Sequence, residues 1–309
     1  MKQKYDLIVV IPIGPNTKVE FINDTIDSVY FYCQCSLKLI IVDDSRQELG
    51  LLTKEKYPDV DLLVNKKTNG LKGGLYITLS LTYKYAIDNY HFKTLFKVDT
   101  DALIIGENPQ DDAERLFEEN PQIGIAGLYK GGLEIIDFNN NVFDNRWPRS
   151  YMFDLVSTLR VFKRPVANFT LRKYIRMAFA KGYEIGGNIF GGAYFLSEAL
   201  LVRLDRAKLL PDFKLRNTRM EEDHLFGMMA IIVDLEMGDL GRDELPFGVT
   251  WKKLPASPET LLLRKKKVIH STRRWEDMDE YQIRQYFKDI RKLHKHSDRR
   301  ESAVVIGQN

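Results

Sequence analysis

The stretch "TLFKVDTDALII", residues 94–105, places two carboxylates, Asp99 and Asp101, inside a largely apolar run. Its apolar flanks predict a buried strand, and a charge buried in such a run is costly unless it is paired or holds a metal ion. The stretch therefore predicts a strand whose end opens onto a polar site, where an aspartate meets a cation.

Strands alternate with helices through the first hundred residues. The predicted strands cover residues 5–12, 37–44, 59–65 and 94–101, and the predicted helices cover 17–32 and 73–90. This alternation implies a parallel sheet with right-handed crossovers, and such sheets bind ligands beyond the carboxyl ends of their strands. We therefore expect the polar residues that end these strands to meet at one edge of the sheet. They are Pro12, Gly14, Asp43, Asp44, Asp99 and Asp101.

Shorter elements are predicted after residue 105. A helix is expected at 109–120, a strand at 122–129 and a loop at 138–150. Gly191 and Gly192 are predicted to form a turn before a strand and a helix capped by Ser197. An acidic first turn opens a predicted helix at 218–234, and Thr17 with Glu20 predicts a capping box on the first helix.

Bulk composition excludes several classes of protein. The chain has 309 residues, 44% hydrophobic and 29% charged, with a formal net charge of +3. Its two cysteines, Cys33 and Cys35, suit neither a zinc site nor a disulfide framework. No apolar run is long enough to cross a bilayer and no signal peptide precedes the first strand, so a cytoplasmic protein is predicted.

The D-T-D motif favours a divalent cation. Carboxylates at i and i+2 of a regular strand face opposite sides, but at a strand end that turns, one can bind an ion while the other holds a hydroxyl. Mn²⁺ or Mg²⁺ suits this arrangement, because hard ions take a few carboxylates together with phosphate oxygens.

Five short segments together resemble the ordered motifs of family 2 glycosyltransferases of the GT-A fold. They are "VVIP", "IIVDDS", "FKVDTDALI", "GGAYFLS" and "EEDHLFG", and the resemblance covers residues 5–235. It implies an α/β fold of GT-A type, with a Rossmann-like, mostly parallel sheet flanked by helices and a C-terminal helical extension. The implied catalytic domain is 1–250, divided into a nucleotide-binding half, 1–105, and an acceptor half, 106–250; a basic loop and helix occupy 251–309.

The resemblance also implies an activity. It is the inverting transfer of one sugar from a nucleotide-sugar, UDP by family habit, to a glycan or lipid-linked acceptor, as in polysaccharide biosynthesis. Because the Q-x-x-R-W motif of processive synthases is absent, a non-processive enzyme is favoured.

The same resemblance assigns roles to individual residues. Pro12 and Gly14 would line the base pocket, Asp44 would accept from the base, Asp43 would support that loop, and Asp99 would touch the ribose. Asp101 and His270 would ligate the metal, Lys72 would contact phosphate, and Asp223, with Glu222 as the alternative, would be the catalytic base. Gly191 and Gly192 would let a donor or acceptor sugar approach closely.

Each assignment has a structural alternative. A helix dipole favours acids such as Glu222 and Asp223 in its first turn without any catalysis. Asp43 and Asp44 would also suit a capped turn, and His270 an ordinary surface position. A protein that binds nucleotide or glycan without turnover, or another metal-dependent enzyme of nucleotide-sugars or phosphates, stays open.

Other enzyme classes fit less well. A haloacid dehalogenase-like phosphatase would carry D-x-D after the first strand, which ends here in "IPIGPN". A Rossmann dehydrogenase would show G-x-G-x-x-G at that point, and a nucleotidylyltransferase a Gly-rich basic loop.

Two basic segments allow more than one interpretation. Residues 160–182 are either an ordinary helix with solvated charges or a helix lying on an anionic membrane, near a lipid-linked acceptor. Within 261–275, Lys267 or its neighbours are candidate contacts of the donor phosphates. The final predicted helix, 279–296, would pack on the domain, a second subunit or a membrane. No nucleic-acid motif accompanies the charge.

Overall fold

The computed structural model describes residues 2–129, 163–241 and 245–306, together with 135–136, 142–143, 152 and 154. The predicted loop at 138–150 lies outside these residues, except for the short strand Val142–Phe143. Residues 160–162 of the basic segment also lie outside them.

Strands and helices alternate in the described chain. The strands are β1 Gln3–Ile13, β2 Leu37–Asp43, β3 Asp61–Val64, β4 Tyr90–Val98, β5 Ala102–Ile104, β6 Ile123–Tyr129, β7 Ile135–Ile136, β8 Val142–Phe143, β9 Ile189–Ser197, β10 Glu236–Asp239, β11 Phe247–Val249, β12 Val268–His270, β13 Arg274–Trp275 and β14 Met278–Asp279. The helices are α1 Val19–Tyr32, α2 Leu49–Lys56, α3 Gly73–Asn89, α4 Pro109–Glu119, α5 Pro165–Phe179, α6 Glu198–Arg206, α7 Glu222–Ile232, α8 Pro258–Leu263 and α9 Glu280–Ile306, with a 3₁₀ helix at Phe213–Leu215.

The main sheet of the described residues has seven strands in the order β10-β6-β9-β4-β1-β2-β3. Neighbouring strands are parallel except at β9, which is antiparallel to both β4 and β6. Because β9 runs the other way, its first residues lie beside the carboxyl end of β4, with Ala193 opposite Val98. The predicted α/β fold with a mostly parallel sheet is confirmed.

Apolar side chains cover both faces of this sheet. One core contains Ile8, Leu95 and Tyr194 and is covered by α3, α5, α6 and α7. The other contains Val9, Phe96 and Phe195 and is covered by α1, α4 and the strands β11 and β12. Burial on both faces explains why these strands are almost continuously apolar in the sequence.

Two local predictions were wrong. Helix α1 begins after Lys18 without a side-chain cap, and the Thr17 hydroxyl lies 3.2 Å from the Thr100 hydroxyl instead. Gly191 and Gly192 lie within strand β9 and do not form a turn. The predicted cap at Ser197 is confirmed, because its Oγ accepts a hydrogen bond from the Leu200 N–H at 3.1 Å.

A small sheet brings a distant part of the chain to the D-T-D motif. Its order is β11-β12-β5, and β5 begins directly after Asp101. Strand β12 pairs antiparallel with β5, which sets His270 opposite Ala102. Strands β11 and β12, which pair with each other, lie on either side of the predicted boundary at residue 250.

The final helix packs on its own domain. Ile283 and Phe287 of α9 are buried in a small apolar core. Arg284 donates from Nη1 to Asp24 Oδ2 at 3.1 Å and from Nη2 to the Thr100 carbonyl at 2.5 Å, and Arg291 donates to Asp24 Oδ1. The final helix therefore packs on the domain, which is one of the three alternatives predicted for it.

None of the described helices combines the length and the apolar character needed to cross a bilayer.

Replacing Asp24 by alanine is expected to destabilise the protein strongly. The carboxylate is buried between Arg284 and Arg291, which are themselves almost fully buried. Removing it leaves buried guanidinium charge uncompensated, which costs about 3–5 kcal/mol. Urea unfolding followed by circular dichroism measures the loss.

The matched control is Asp289→Ala, which removes an exposed ion pair between Asp289 and Lys292 of helix α9. Such pairs contribute about 0–1 kcal/mol. Equal unfolding midpoints for the two variants would contradict the role given to Asp24.

Candidate active site

Two aspartates and a histidine form a group that could hold a metal ion. Strand β4 ends at Val98, the chain turns through Asp99 and Asp101, and β12 supplies His270. One ligand atom from each of the three lies within 4.8 Å of the others. Two carboxylates and an imidazole are side chains that can ligate a divalent cation.

Asp101 is held as a carboxylate by the segment that follows β12. Its Oδ2 accepts from Arg273 Nε at 2.8 Å and from the Ser271 hydroxyl at 3.0 Å, and its Oδ1 lies 3.2 Å from His270 Nε2. Burial alone raises the pKa of Asp101, but the charges of His270 and Arg273 and the Ser271 hydroxyl outweigh it and hold the pKa well below its ordinary value. An ionised carboxylate is the form that binds metal.

The second ring nitrogen of His270 orients the imidazole. His270 Nδ1 lies 2.7 Å from the Thr250 carbonyl oxygen, which can only accept, so Nδ1 carries a proton. That leaves Nε2 facing Asp101. Burial lowers the pKa of His270, but the negative charge of Asp101 outweighs burial and raises it overall. A backbone carbonyl behind an imidazole is the usual support of a metal-binding histidine.

Lys97 is fully buried on β4 and links Asp99 of the metal group to one further acid, Glu222. Its ammonium lies 2.6 Å from Asp99 Oδ1 and 3.6 Å from Glu222 Oε1, and it donates to the Gly191 carbonyl. Burial lowers the pKa of Lys97, but the charges of Asp99 and Glu222 outweigh it and raise the pKa. The sequence reasoning missed this residue, although a lysine between Phe96 and Val98 of a buried strand was a visible signal.

Glu222 and Asp223 begin helix α7 and are both buried. Burial raises the pKa of Glu222 to about 8, helped by Asp223 and Asp99 and opposed by Lys97. This shift favours the protonated form of the Glu222 carboxyl group at neutral pH. Asp223 accepts from Asn188 Nδ2 at 3.0 Å on Oδ2 and from the His224 N–H at 2.7 Å on Oδ1, which fixes its orientation.

Consecutive glycines of β9 separate the metal group from this carboxylate pair. A Cβ on Gly191 would lie 3.1 Å from both Glu222 Oε1 and Asp223 Oδ2, whereas one on Gly192 would lie 2.4 Å from His270 Nδ1. The two positions thus face opposite sides, and each leaves space that a side chain would fill. Their predicted contact with a sugar stays a prediction.

The loops after β2 and β3 are organised by Asp43 and Asp44. Asp43 accepts from the Ser45 and Gly50 N–H groups, both at 2.7 Å, and so holds the loop after β2. Asp44 accepts from Asn65 Nδ2 at 2.7 Å, and from the N–H groups of residue 69 at 2.9 Å and Gly70 at 3.0 Å. Asp44 therefore supports the loop over residues 65–70, and its predicted contact with the nucleotide base stays a prediction.

The other predicted nucleotide contacts surround this edge. The Asp44 N–H donates to the Ile13 carbonyl at 2.9 Å, which joins the ends of β1 and β2 beside Pro12. A Cβ on Gly14 would meet nothing within 4 Å, so this loop is open. Asp99, the predicted ribose contact, is partly exposed at the same edge.

The predicted phosphate contacts are engaged in ion pairs. Lys72 lies 3.3 Å from Glu221, next to the start of α7. Lys267 lies 2.7 Å from Asp112 on α4, away from the metal group. Arg273 is the exposed cation at the metal group, and the sequence reasoning missed it because nothing local ties it to Asp101.

Comparisons with known proteins identify no family. No family model matches the chain, and no curated protein matches it. Among solved structures, the chain is similar to the mannosyltransferase PcManGT from Pyrobaculum calidifontis in complex with GDP-Man and Mn²⁺, with 14% identity and a TM-score of 0.42. The match covers 76% of this chain and 55% of that one, so the chain spans about half the length of the mannosyltransferase. At this identity and TM-score the likeness carries no functional conclusion.

Removal of the Asp101 carboxylate is expected to weaken Mn²⁺ binding. Asp101→Ala takes away one member of the three-residue metal group and the partner that orients His270, so affinity should fall at least about tenfold. The electron paramagnetic resonance signal of free Mn²⁺ measures binding. Asp112→Ala, which removes a carboxylate outside the group, is the control and should bind as the wild type does. Equal binding by both variants would contradict a metal site at Asp101.

The raised pKa of Glu222 predicts a pH-dependent stability. Between pH 4.5, the ordinary value, and about pH 8, the folded protein keeps a proton that the unfolded chain releases, so this group lowers stability as pH rises. Glu222→Gln removes the effect. Its free energy of unfolding relative to wild type should therefore increase across this window, by at most about 1.4 kcal/mol per pH unit.

Urea unfolding at several pH values measures this trend. Glu119→Gln, at an exposed position of α4, is the control and should show no trend. A constant difference between Glu222→Gln and wild type from pH 5 to pH 8 would show that Glu222 is already ionised.

Proposed function

We propose that this chain is a metal-dependent glycosyltransferase that moves one sugar from a nucleotide-sugar to a hydroxyl acceptor. The observation that carries the proposal is the arrangement around β9, where a group fit for a divalent ion and a pair of buried carboxylates flank Gly191 and Gly192. Single displacement at an anomeric carbon needs a stabilised leaving group on one side and a base on the other.

Asp223 is the base in this proposal. A sugar hydroxyl is a poor nucleophile, so a carboxylate within hydrogen-bond reach takes its proton as the oxygen attacks the anomeric carbon. The bond from that carbon to the diphosphate breaks, the nucleoside diphosphate leaves with the electron pair, and the configuration inverts. Asn188 and the His224 N–H hold Asp223 for this role. Glu222 is not the base in this proposal, because burial raises its pKa and favours the protonated carboxyl group.

The leaving-group side is assigned to Asp99, Asp101 and His270. A divalent ion bound there would stabilise the negative charge that develops on the diphosphate. Arg273, beside Asp101, is placed to add a second positive charge. Lys97 keeps Asp99 oriented. Because its ammonium group is wholly buried, Lys97 does not transfer a proton in the reaction.

The donor and acceptor are also proposals. We assign a UDP-sugar as donor from the family resemblance, with the base near Pro12, Gly14 and Asp44. A glycan or lipid-linked hydroxyl is the acceptor, entering from the side of Glu222 and Asp223. Inversion follows if Asp223 acts alone, since no second carboxylate nucleophile is then needed.

Ligand-dependent stabilisation tests donor binding. UDP, GDP, dTDP and CMP are each tested with Mn²⁺, Mg²⁺ or a chelator on wild type, Asp101→Ala and Asp223→Asn. At a hundred times the dissociation constant, a ligand stabilises by about 2.7 kcal/mol, which is a readable shift in melting temperature. We expect one nucleotide to stabilise wild type and Asp223→Asn only with metal, and Asp101→Ala hardly at all.

Turnover of the matching nucleotide-sugar then separates an enzyme from a binding protein. Release of nucleoside diphosphate should fall at least about a hundredfold in Asp223→Asn, because the loss of a general base costs that much. Retained turnover in this variant would reject Asp223 as the base. If none of the four nucleotides stabilises the wild-type protein, the glycosyltransferase proposal is rejected.

A further inference from the structure

Helix α5 is strongly basic and carries no acid. Between residues 155 and 183 the sequence contains no aspartate or glutamate, and its basic residues are Arg160, Lys163, Arg164, Arg172, Lys173, Arg176 and Lys181. Lys181 is paired with Asp234 at 2.7 Å and Arg164 donates to the carbonyl of residue 217, so these two have protein partners. Lys163, Lys173 and Arg176 are exposed.

Large apolar side chains of the same helix also face solvent. Val166 and Phe169 are each 60% exposed, Phe179 is 62% exposed and Met177 is 38% exposed. The positions 166, 169, 173, 176 and 177 fall on one side of an α-helix, because they follow the spacing i, i+3, i+7, i+10 and i+11. A helix packed on a soluble domain ordinarily presents a polar outer face.

The opposite side of α5 is fixed to the domain. Ala167, Leu171, Tyr174 and Ala178 are buried. The Tyr174 hydroxyl donates to Asp212 Oδ2 at 2.6 Å, which attaches α5 to the 3₁₀ helix Phe213–Leu215. That helix adds another exposed aromatic ring, since Phe213 is 59% exposed.

We propose that this face, formed by Val166, Phe169, Lys173, Arg176 and Met177, docks on the surface of an anionic lipid bilayer, with the exposed rings of Phe179 at the end of α5 and of Phe213 on the adjoining 3₁₀ helix as further apolar contacts. Helices that lie in a membrane interface combine lysine and arginine with exposed phenylalanine and other apolar side chains. The lack of acidic residues on α5 complements a negative lipid surface, which attracts each basic residue near it.

The docking face adjoins the carboxylate side of the candidate active site. The chain continues from the 3₁₀ helix to Glu221 and then to Glu222 and Asp223 at the start of α7. A Cβ on Gly73 would lie 2.2 Å from the Leu215 carbonyl, so this segment packs closely on α3. If the proposed function holds, docking would hold Asp223 near the bilayer, where a lipid-linked hydroxyl is presented.

Co-sedimentation with vesicles tests the docking face. The full chain is mixed with phosphatidylcholine vesicles with or without phosphatidylglycerol, at low and at high salt. We expect binding that requires phosphatidylglycerol and weakens with salt. Phe169→Ser with Phe179→Ser, and separately Lys173→Gln with Arg176→Gln, should each reduce the partition coefficient about tenfold or more.

Matched controls change similar residues elsewhere. Leu51→Ser with Leu52→Ser alters side chains that are 48% and 47% exposed on α2, and Lys288→Gln with Lys292→Gln removes exposed charges on α9. Both should bind vesicles as wild type does, and all variants should keep the wild-type melting temperature. The docking proposal is overturned if wild type ignores phosphatidylglycerol or if α5 variants and controls bind equally.

The test is independent of the proposed activity. Nucleotide-dependent stabilisation, measured without vesicles, should be unchanged in the α5 variants because none of them alters the candidate site. Vesicle binding without nucleotide binding would reject the activity and keep the docking face. Nucleotide binding without vesicle binding would reject the docking face and keep the proposed activity.

Discussion

The buried ammonium group of Lys97 is the interaction on which the candidate site depends. Burying such a charge inside the protein costs several kcal/mol, and the attraction to Asp99 and Glu222 offsets that cost only in a close geometry. Lys97 also donates to the Gly191 carbonyl, so one side chain joins β4, β9 and α7. Burial, together with neighbouring carboxylates, raises the pKa values of Asp99 and Glu222, and the positive charge of Lys97 opposes this rise without cancelling it. A divalent ion at Asp101 and its neighbours would bring further positive charge to the same cluster.

Strand β9 explains why these groups meet at all. If β9 were parallel to β4, its last residues would lie beside the carboxyl end of β4. Because β9 is antiparallel, it starts at that edge, and the Asp99 N–H donates to the Gly192 carbonyl at 2.9 Å. The absence of side chains at Gly191 and Gly192 then leaves room for the acids of α7 on one side and His270 on the other.

Much of the fold and part of the site could be predicted from sequence, for a local reason. A buried parallel strand is a continuous apolar run, so the polar residues that end it, such as Asp43 and Asp99, are visible without any structure. His270 and Arg273 could not be placed in this way, because their contact with Asp101 depends on β12 pairing with β5 across most of the chain. The capping box failed for a related reason: Thr17 contacts Thr100, a distant residue, and not the start of its own helix.

The two sides of the candidate site are built on different supports. On the metal side, the D-T-D turn is tied down from behind, since Arg284 of α9 and the Thr272 N–H donate to the backbone carbonyls of Thr100 and Asp101. On the carboxylate side, α7 is reached through the segment that borders α5, whose outer face is apolar and basic. Stabilising a departing diphosphate would require the first side to stay rigid, because a metal group tolerates little displacement. A large or lipid-linked acceptor would instead approach along the second. In that case α9 would hold the donor side in place, and α5 would present the acceptor side to its surroundings.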